Sequence, residues 1–424
     1  MTISQLHQHF LEHPKACTDT RKVIENCLFF ALKGANFNGN HYAAEALNKG
    51  ASFAIVDEEE YVEGDRTILV ENVLQTLQKL ATYHRKYSKA KVIAITGSNG
   101  KTTTKELIYA VLSKKYSTVA TIGNLNNHIG VPLTLLSIKP ETEIAIVEMG
   151  ANHLKEIEFL CSLAQPDFGY ITNFGKAHLE GFGSEEGVIK GKSELYSYLM
   201  ENGRPIFMNA DDPVQLQKLS TYVKKYGFSK DKNQFYKIEL LSADPFIRFN
   251  VENETIESQL MGSYNFPNCC AAFLMGKYFN VPKEEIKTAI ESYIPQNNRS
   301  QLMEKSGHRV ILDAYNANPT SMVAALENLK AMNTEHKIVI LGDMFELGTT
   351  AAKEHQQIAE SVSRMHFDKV FLVGENFNET ESAGLKCTSF EELAKHLEQI
   401  ELPASTILIK GSRGMALERV LDFI

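Results

Sequence analysis

The residues with the clearest chemical meaning form the run ITGSNGKTT at 95–103. Gly97 and Gly100 let backbone N–H groups converge on phosphate oxygens, and Lys101 can reach the β and γ phosphates of a nucleotide. The hydroxyl of Thr102 can complete a Mg2+ shell, and Ser98, Asn99 and Thr103 fill out the loop. The general phosphate-loop pattern has a further glycine five residues before the second one. That position is Ile95, so the fit is to the shorter TGxxGKT form. A capped helix N-terminus with an exposed lysine is the plainer alternative. Glu148, ending EIAIVEMG, offers the carboxylate oxygen that Mg2+ prefers, or is a solvated turn residue.

A phosphate loop needs a strand before it and a helix after it. KVIAIT from Lys91 is a buried-strand run, and TTTKELIYAVLSKKY places Leu107, Ile108, Val111 and Leu112 on one helical face. EIAIVEM (143–149), FGYITNF (168–174) and RPIFMNA (204–210) are further short strands with helical segments between them. The alternation predicts a mainly parallel, doubly wound sheet whose ligands sit at the carboxyl ends of its strands. RVILDAY, KIVILGDM, KVFLVGE and STILIKG repeat the style in the last third, separated by helices such as SMVAALENLKAM. The expected architecture is α/β in three domains. Residues 1–85 form a small mixed α/β unit, 86–298 a central ATP-binding P-loop domain, and 299–424 a Rossmann-like C-terminal domain.

Composition sets the class. At 424 residues the chain exceeds one core of usual size, and its 43% hydrophobic and 23% charged content is ordinary for globular protein. A formal net charge of -8 argues against general nucleic-acid binding, which needs a basic surface. No apolar run approaches the roughly 20 residues of a membrane helix. MTISQLHQHFLEHPKACTDTR lacks the pattern of a secretory signal, so a cytoplasmic protein without membrane insertion is expected. Six cysteines without CxxC spacing read as inert thiols, not a zinc site or disulfide framework.

With these stretches in place, the chain resembles the Mur ligases, the ATP-dependent amide-forming enzymes of peptidoglycan synthesis. The resemblance rests on ITGSNGKTTTKE, NLNNHIGVPLTLL, VEMGANHLKEI, TNFGKAHLEGFGS, KSELY, LDAYNANPTSM, LGDMFELG and KGSRGM, which run from the first third to the last residues. LDAYNANP and NNHIGVPLTLL are its specific parts. They imply the branch that adds D-alanyl-D-alanine to UDP-N-acetylmuramoyl-tripeptide through an acyl phosphate, acting as a monomer with ATP and two Mg2+ ions.

The same resemblance implies residue roles. Lys101, His178, Lys192 and Arg299 would be catalytic. Thr102 and Glu148 would bind one Mg2+, and His178 with Lys192 the other, the lysine carbamylated by CO2. Arg299 would meet the nucleotide phosphates, and Asp313 would contact the nucleotide and help join the domains. Asn265 and Asn268 match a motif near the adenine in which Tyr264 replaces the usual histidine. Asp19, Thr20, Arg21 and Gly34 would grip the uridine nucleotide. Asn126, Asn127, Tyr315, Asn316 and Asn318 would position the peptide substrates, and the last domain would swing about a hinge near 297–299.

Without the family, Lys192 reads as a surface lysine in GVIKGKSELYSYL, His178 as a loop or packing histidine, and Arg299 as a linker residue. DTR at 19–21 reads as a surface turn, and Asn316 or Asn318 as a helix cap. Two rival functions stay open on the residues: another ligase of the superfamily, against which LDAYNANP speaks, and a module that merely hydrolyses or senses ATP.

Overall fold

A computed structural model of the chain describes residues 1–296 and 298–424, and the expected hinge position Asn297 falls outside the described residues. Three main sheets follow one another along the sequence. The first is parallel, with neighbouring strands Ala16–Cys17, Leu28–Phe30, Phe53–Val56 and Thr67–Leu69. The hairpin Lys33–Gly34 with Phe37–Asn38 stands beside it as a separate two-stranded ladder.

The middle sheet has, among the described residues, seven parallel strands. Tyr236–Lys237, Lys225–Ser229, Ile206–Asn209 and Phe168–Ile171 lie on one side of Lys91–Thr96, and Ile144–Glu148 and Thr118–Ala120 on the other. Strands that follow Lys91–Thr96 in sequence thus run first to one edge and then to the other. A crevice opens at their carboxyl ends, where ligands bind in such sheets. Leu107, Ile108, Val111 and Leu112 of helix Lys101–Leu112 are fully buried, packed with Ile93, Ile95, Ile144, Ile146 and Phe273. At about 1.5–3 kcal/mol per buried side chain, that face seats the loop that opens the helix.

The C-terminal sheet runs Gln301–Lys305, His308–Asp313, Thr406–Lys410, Lys337–Gly342, Lys369–Val373 and Leu385–Cys387. It is parallel except for its first, antiparallel strand.

Two features depart from the sequence reading. Glu239–Ser242, Phe246–Val251 and Glu254–Met261 make an antiparallel sheet inside the middle region, where only α/β alternation is expected. FIRFNV and ETIESQLM do alternate in burial, as strands with one covered face must, but charged residues dilute the pattern. The helix Val73–Tyr87, just before the expected first boundary, packs against Ile3–Glu12 of the N-terminal unit and also against Gly130–Leu136 and Glu156–Ala164 of the middle one. Arg85 fastens it there, with Nη2 2.8 Å from Asp167 Oδ2 and Nε donating to the Ala164 carbonyl.

Candidate active site

The carboxyl ends of the middle and C-terminal sheets face one cavity of about 1010 Å³. Ser98–Thr103, Asn126, Asn127, Glu148, His178, Asn265 and Asn268 line it from the middle lobe. Arg299, Asp313, Tyr315, Asn316, Asn318, Phe345, Glu346 and Lys410 line it from the other side.

The phosphate loop is built by close approach. A Cβ at Gly97 would strike the Thr172 hydroxyl, and one at Gly100 would come within 2.9 Å of Asn268 Oδ1, with both backbones at positive φ. Asn173 Oδ1 accepts from the Asn99 N–H at 3.0 Å, and Thr172 donates to the Asn99 carbonyl at 2.6 Å. The Lys101 amine folds back to the carbonyls of Gly97 (2.8 Å) and Ser98 (3.2 Å). Burial lowers its pKa from the ordinary lysine value, Glu148 opposes that, and the nearby Arg299 charge adds to it.

Glu148, 1% exposed, ends its strand with one oxygen accepting from Asn126 Nδ2 at 2.8 Å. Its other oxygen, Oε2, is buried with no hydrogen-bond partner among the described residues. The Glu148 N–H donates to Thr121 Oγ1 at 2.9 Å, and Lys105 Nζ donates to the Thr121 carbonyl at 2.7 Å. This brace ties the carboxylate to the phosphate-loop helix. Sequence reasoning missed it, because Lys105 on a charged helix carries no local sign of burial.

Lys192 does not line the cavity. It is fully buried in helix Glu185–Glu201, on the inner stripe with Val188, Leu195 and Leu199, which displaces the surface reading. Its amine donates to the carbonyl of Ala151, a cavity residue, at 2.8 Å and lies 5.0 Å from the centre of the Phe182 ring. Burial, and behind it the Lys101 charge, press that amine well below the ordinary lysine range. His178 stands at the cavity rim with positive φ, its Nδ1 hydrogen-bonded to Glu346 of the C-terminal lobe, and that bond holds the Glu346 carboxyl below its usual pKa.

On the C-terminal side, the Arg299 guanidinium carbon stacks 3.7 Å from the Tyr315 ring centre. Asp313 accepts from the Ser300 N–H at 3.1 Å and pairs with buried Lys410 at 2.5 Å. Lys410 belongs to KGSRGM, a stretch quoted for the resemblance without a role. Asn318 caps helix Pro319–Ala331 through a capping box and also donates to Asn99 Oδ1 at 2.7 Å, so the cap and the loop contact coexist. Asn316 accepts from the Ala317 N–H. Asn127 caps the turn into helix Gly130–Leu136. Asn265 and Asn268 hydrogen-bond each other at 2.8 Å, and Tyr264 Oη meets Ser300 Oγ at 2.9 Å, so the histidine-to-tyrosine departure makes a bond to the segment after Arg299.

The N-terminal residues stand apart. Asp19, Thr20, Arg21 and Gly34 do not line this cavity. Asp19 caps a short turn and pairs with Arg21 at 2.8 Å, and the hydrogen bonds from Arg21 bring its pKa down to about 2. All six cysteines are buried and free. Among the described residues no helix is long and apolar enough to cross a membrane, and no cluster of three His, Cys, Asp or Glu could hold a metal on its own.

Three family models match along the chain. Residues 16–107 match the model described as Mur ligase family, catalytic domain. Residues 95–276 match the Mur ligase middle domain, and 298–413 the Mur ligase, glutamate ligase domain. The UDP-N-acetylmuramoyl-tripeptide--D-alanyl-D-alanine ligase of Bacillus subtilis (strain 168) is 34% identical over 419 residues, 95% of this chain and 91% of that protein. The structure superposes on MurF from Acinetobacter baumannii with a TM-score of 0.86 at 29% identity, covering 99% of this chain and 98% of that one. It superposes on MurF ligase from Thermotoga maritima in complex with ADP with a TM-score of 0.84 at 29% identity, covering 97% of each. A likeness of sequence and fold that extends across nearly the whole length leaves one assignment: the chain belongs to the Mur ligase family.

Proposed function

We propose that this chain is an ATP-dependent carbon–nitrogen ligase that joins D-alanyl-D-alanine to UDP-N-acetylmuramoyl-tripeptide in peptidoglycan precursor synthesis. The observation that carries the reading is the single cavity into which both sheets point their carboxyl ends, with Lys101 on one wall and Arg299 on the other. The relatives that match along nearly the full length bear the name of this activity, and one similar structure holds ADP.

In the reaction, an oxygen of the tripeptide's terminal carboxylate attacks the γ phosphorus of ATP and ADP leaves. The dipeptide amine then attacks the acyl carbon, phosphate leaves with its oxygen, and the nitrogen loses a proton. Carboxylate and triphosphate repel each other, so Lys101 and Arg299 serve by placing fixed positive charge on either side of the transferring phosphoryl group. The backbone of 97–103 cradles the phosphates. Asn265 and Asn268, joined to each other and to Thr104 Oγ1, shape the wall behind the loop. Contacts of Asn99 with Asn318 and of the Lys176 N–H with Thr320 Oγ1 (2.9 Å) hold the lobes together and exclude water that would hydrolyse an acyl phosphate.

The residues fit Mg2+. The buried oxygen of Glu148 has no hydrogen-bond partner among the described residues and is of the carboxylate type that Mg2+ prefers, and Thr102 lines the same cavity. His178 and Lys192 are proposed as the second pair. When bound, Mg2+ neutralises phosphate charge and polarises the phosphoryl group. Lys192 suits carbamylation because a buried amine held neutral can add to CO2, forming an N–C bond and releasing one proton. Asp19, Thr20, Arg21 and Gly34 are proposed for the uridine end, supported by the exposed guanidinium of Arg21.

The test is phosphate release from ATP with the lysine and diaminopimelate forms of the tripeptide, each with and without D-alanyl-D-alanine. The ligase reading expects release only when dipeptide is present. Release that ignores the dipeptide would mark a plain ATPase.

A further inference from the structure

We infer that Glu346 is a positioning residue that couples docking of the C-terminal lobe to the aim of the His178 imidazole. The inference rests on the ligand role proposed above for His178. Glu346 lies in LGDMFELG, whose chemistry the phosphate loop and the stacked arginine leave unexplained, and follows the strand Lys337–Gly342. Its carboxylate meets His178 Nδ1 across the junction between lobes, and its carbonyl accepts the Glu180 N–H at 3.1 Å. Both residues sit in the left-handed backbone region, with φ of 61° for Glu346 and 53° for His178. Two non-glycine residues facing each other in that sparsely occupied conformation signal a contact that the surrounding packing imposes.

The consequence lies in the ring. An ionised carboxylate only accepts hydrogen bonds, so Nδ1 carries a proton in this contact, and in the neutral ring that tautomer leaves the lone pair on Nε2. Among the described residues Nε2 has no hydrogen bond, while the side chain lines the cavity. A carboxylate on the far nitrogen is the usual device that fixes the tautomer and orientation of a ligating histidine. Here it comes from the opposite lobe, so opening the lobes would remove it. Of the other carboxylates on the cavity wall, Glu148 accepts from Asn126 and meets no histidine ring among the described residues, and the rest are engaged elsewhere. Asp313 pairs with Lys410, Glu156 accepts the Asn152 and His153 N–H groups, and Asp212 caps the helix Pro213–Lys218. Among the described residues, Glu346 is the cavity carboxylate that meets His178.

The test uses the full chain with Glu346→Ala and Glu346→Gln. In metal-free protein, 15N spectra of the histidine rings should show His178 protonated at Nδ1 in the wild type and without that preference in the alanine variant. In the complete reaction, kcat should fall about 10- to 100-fold for alanine. KM for ATP should stay within about twofold, and glutamine, whose amide oxygen can still accept, should recover part of the loss. Unchanged His178 nitrogen shifts in the alanine variant, an unchanged kcat, or glutamine no better than alanine would each overturn the inference. Wild-type protein that shows the ring change on mutation yet forms no amide with either tripeptide would instead reject the reaction and leave the positioning intact.

Discussion

The middle and C-terminal lobes that flank the cavity each bury a lysine, and they treat it in opposite ways. Lys410, 2% exposed, meets the Asp313 carboxylate at 2.5 Å and the Asn316 carbonyl at 3.3 Å. Lys192, 0% exposed, has among the described residues only the carbonyl of Ala151 as a hydrogen-bond partner. The contrast extends to the neighbours. The middle wall holds Lys101 turned onto its own loop and a Glu148 oxygen with no hydrogen-bond partner among the described residues, whereas on the C-terminal wall Asp313, Asn318 and Arg299 are all engaged. One wall keeps charge in want of a ligand, and the other is satisfied within itself and spends its spare contacts on docking. Stability and chemistry are thereby divided between lobes, which is why buried unpaired charge marks a functional wall better than buried charge alone.

The sharpest way to break this contrast is Lys101→Ala. Activity should fall on the order of 100- to 1000-fold, read as ADP release with both substrates present, while the melting temperature stays near wild type. Full activity would reject the loop as the phosphate site.

Next comes Asp313→Ala, which leaves Lys410 buried and uncompensated and should cost about 3 kcal/mol of folding stability. A melt unchanged from wild type would show that the C-terminal wall does not depend on its ion pair.

Lys192→Met probes the middle lobe behind the cavity and should stabilise the protein by about 1–2 kcal/mol near neutral pH, because it removes a poorly partnered buried amine. The pH sign follows from the lowered pKa of Lys192. Between that lowered value and the ordinary lysine value, the unfolded chain binds more protons than the folded one, so the unmodified lysine's penalty shrinks as pH rises through the window. The gain from methionine, measured in CO2-free buffer, should therefore fade toward alkaline pH. A gain that grows with pH would contradict the burial argument. The same variant should lose ligase activity, and short carboxylic acids should restore part of it if a carbamate acts there.

The smallest effect belongs to Asn318→Ala. Loss of the cap should cost about 1 kcal/mol, and the lost Asn99 contact should loosen the docked lobes, detectable by scattering as a larger radius of gyration. An unchanged radius would leave the cap as its only role.

Much of this was legible in the chain. The strand before residue 97, the helix after it and the apolar face of Leu107, Ile108, Val111 and Leu112 are local periodicities, and local periodicity is what a sequence writes most plainly. The strand that ends at Glu148 was as plain. Lys192 was half legible: Val188, Leu195 and Leu199 recur at helical spacing around it, so the stripe predicts a covered lysine, although charged neighbours make GVIKGKSELYSYL look like a surface helix. The three-stranded sheet at 239–261 was missed because its alternation is diluted by Glu, Asn and Arg. Glu346 and the Lys105 brace were missed because their partners lie 168 and 16 residues away, and nothing in a local window distinguishes them from ordinary charged residues.

By itself, the sequence determined the phosphate loop, the alternation of strands and helices, and the branch of the family, since each is carried by residues within a few positions of one another. Tertiary structure decided which charges are left without partners. Desolvation depends on what packs overhead, so Lys192 and Lys410 look alike as letters and differ only when one meets a carboxylate from a neighbouring strand's end and the other a bare carbonyl. It also decided that His178 and Glu346 meet, because only the facing of two lobes brings residues so distant in the chain to one hydrogen bond.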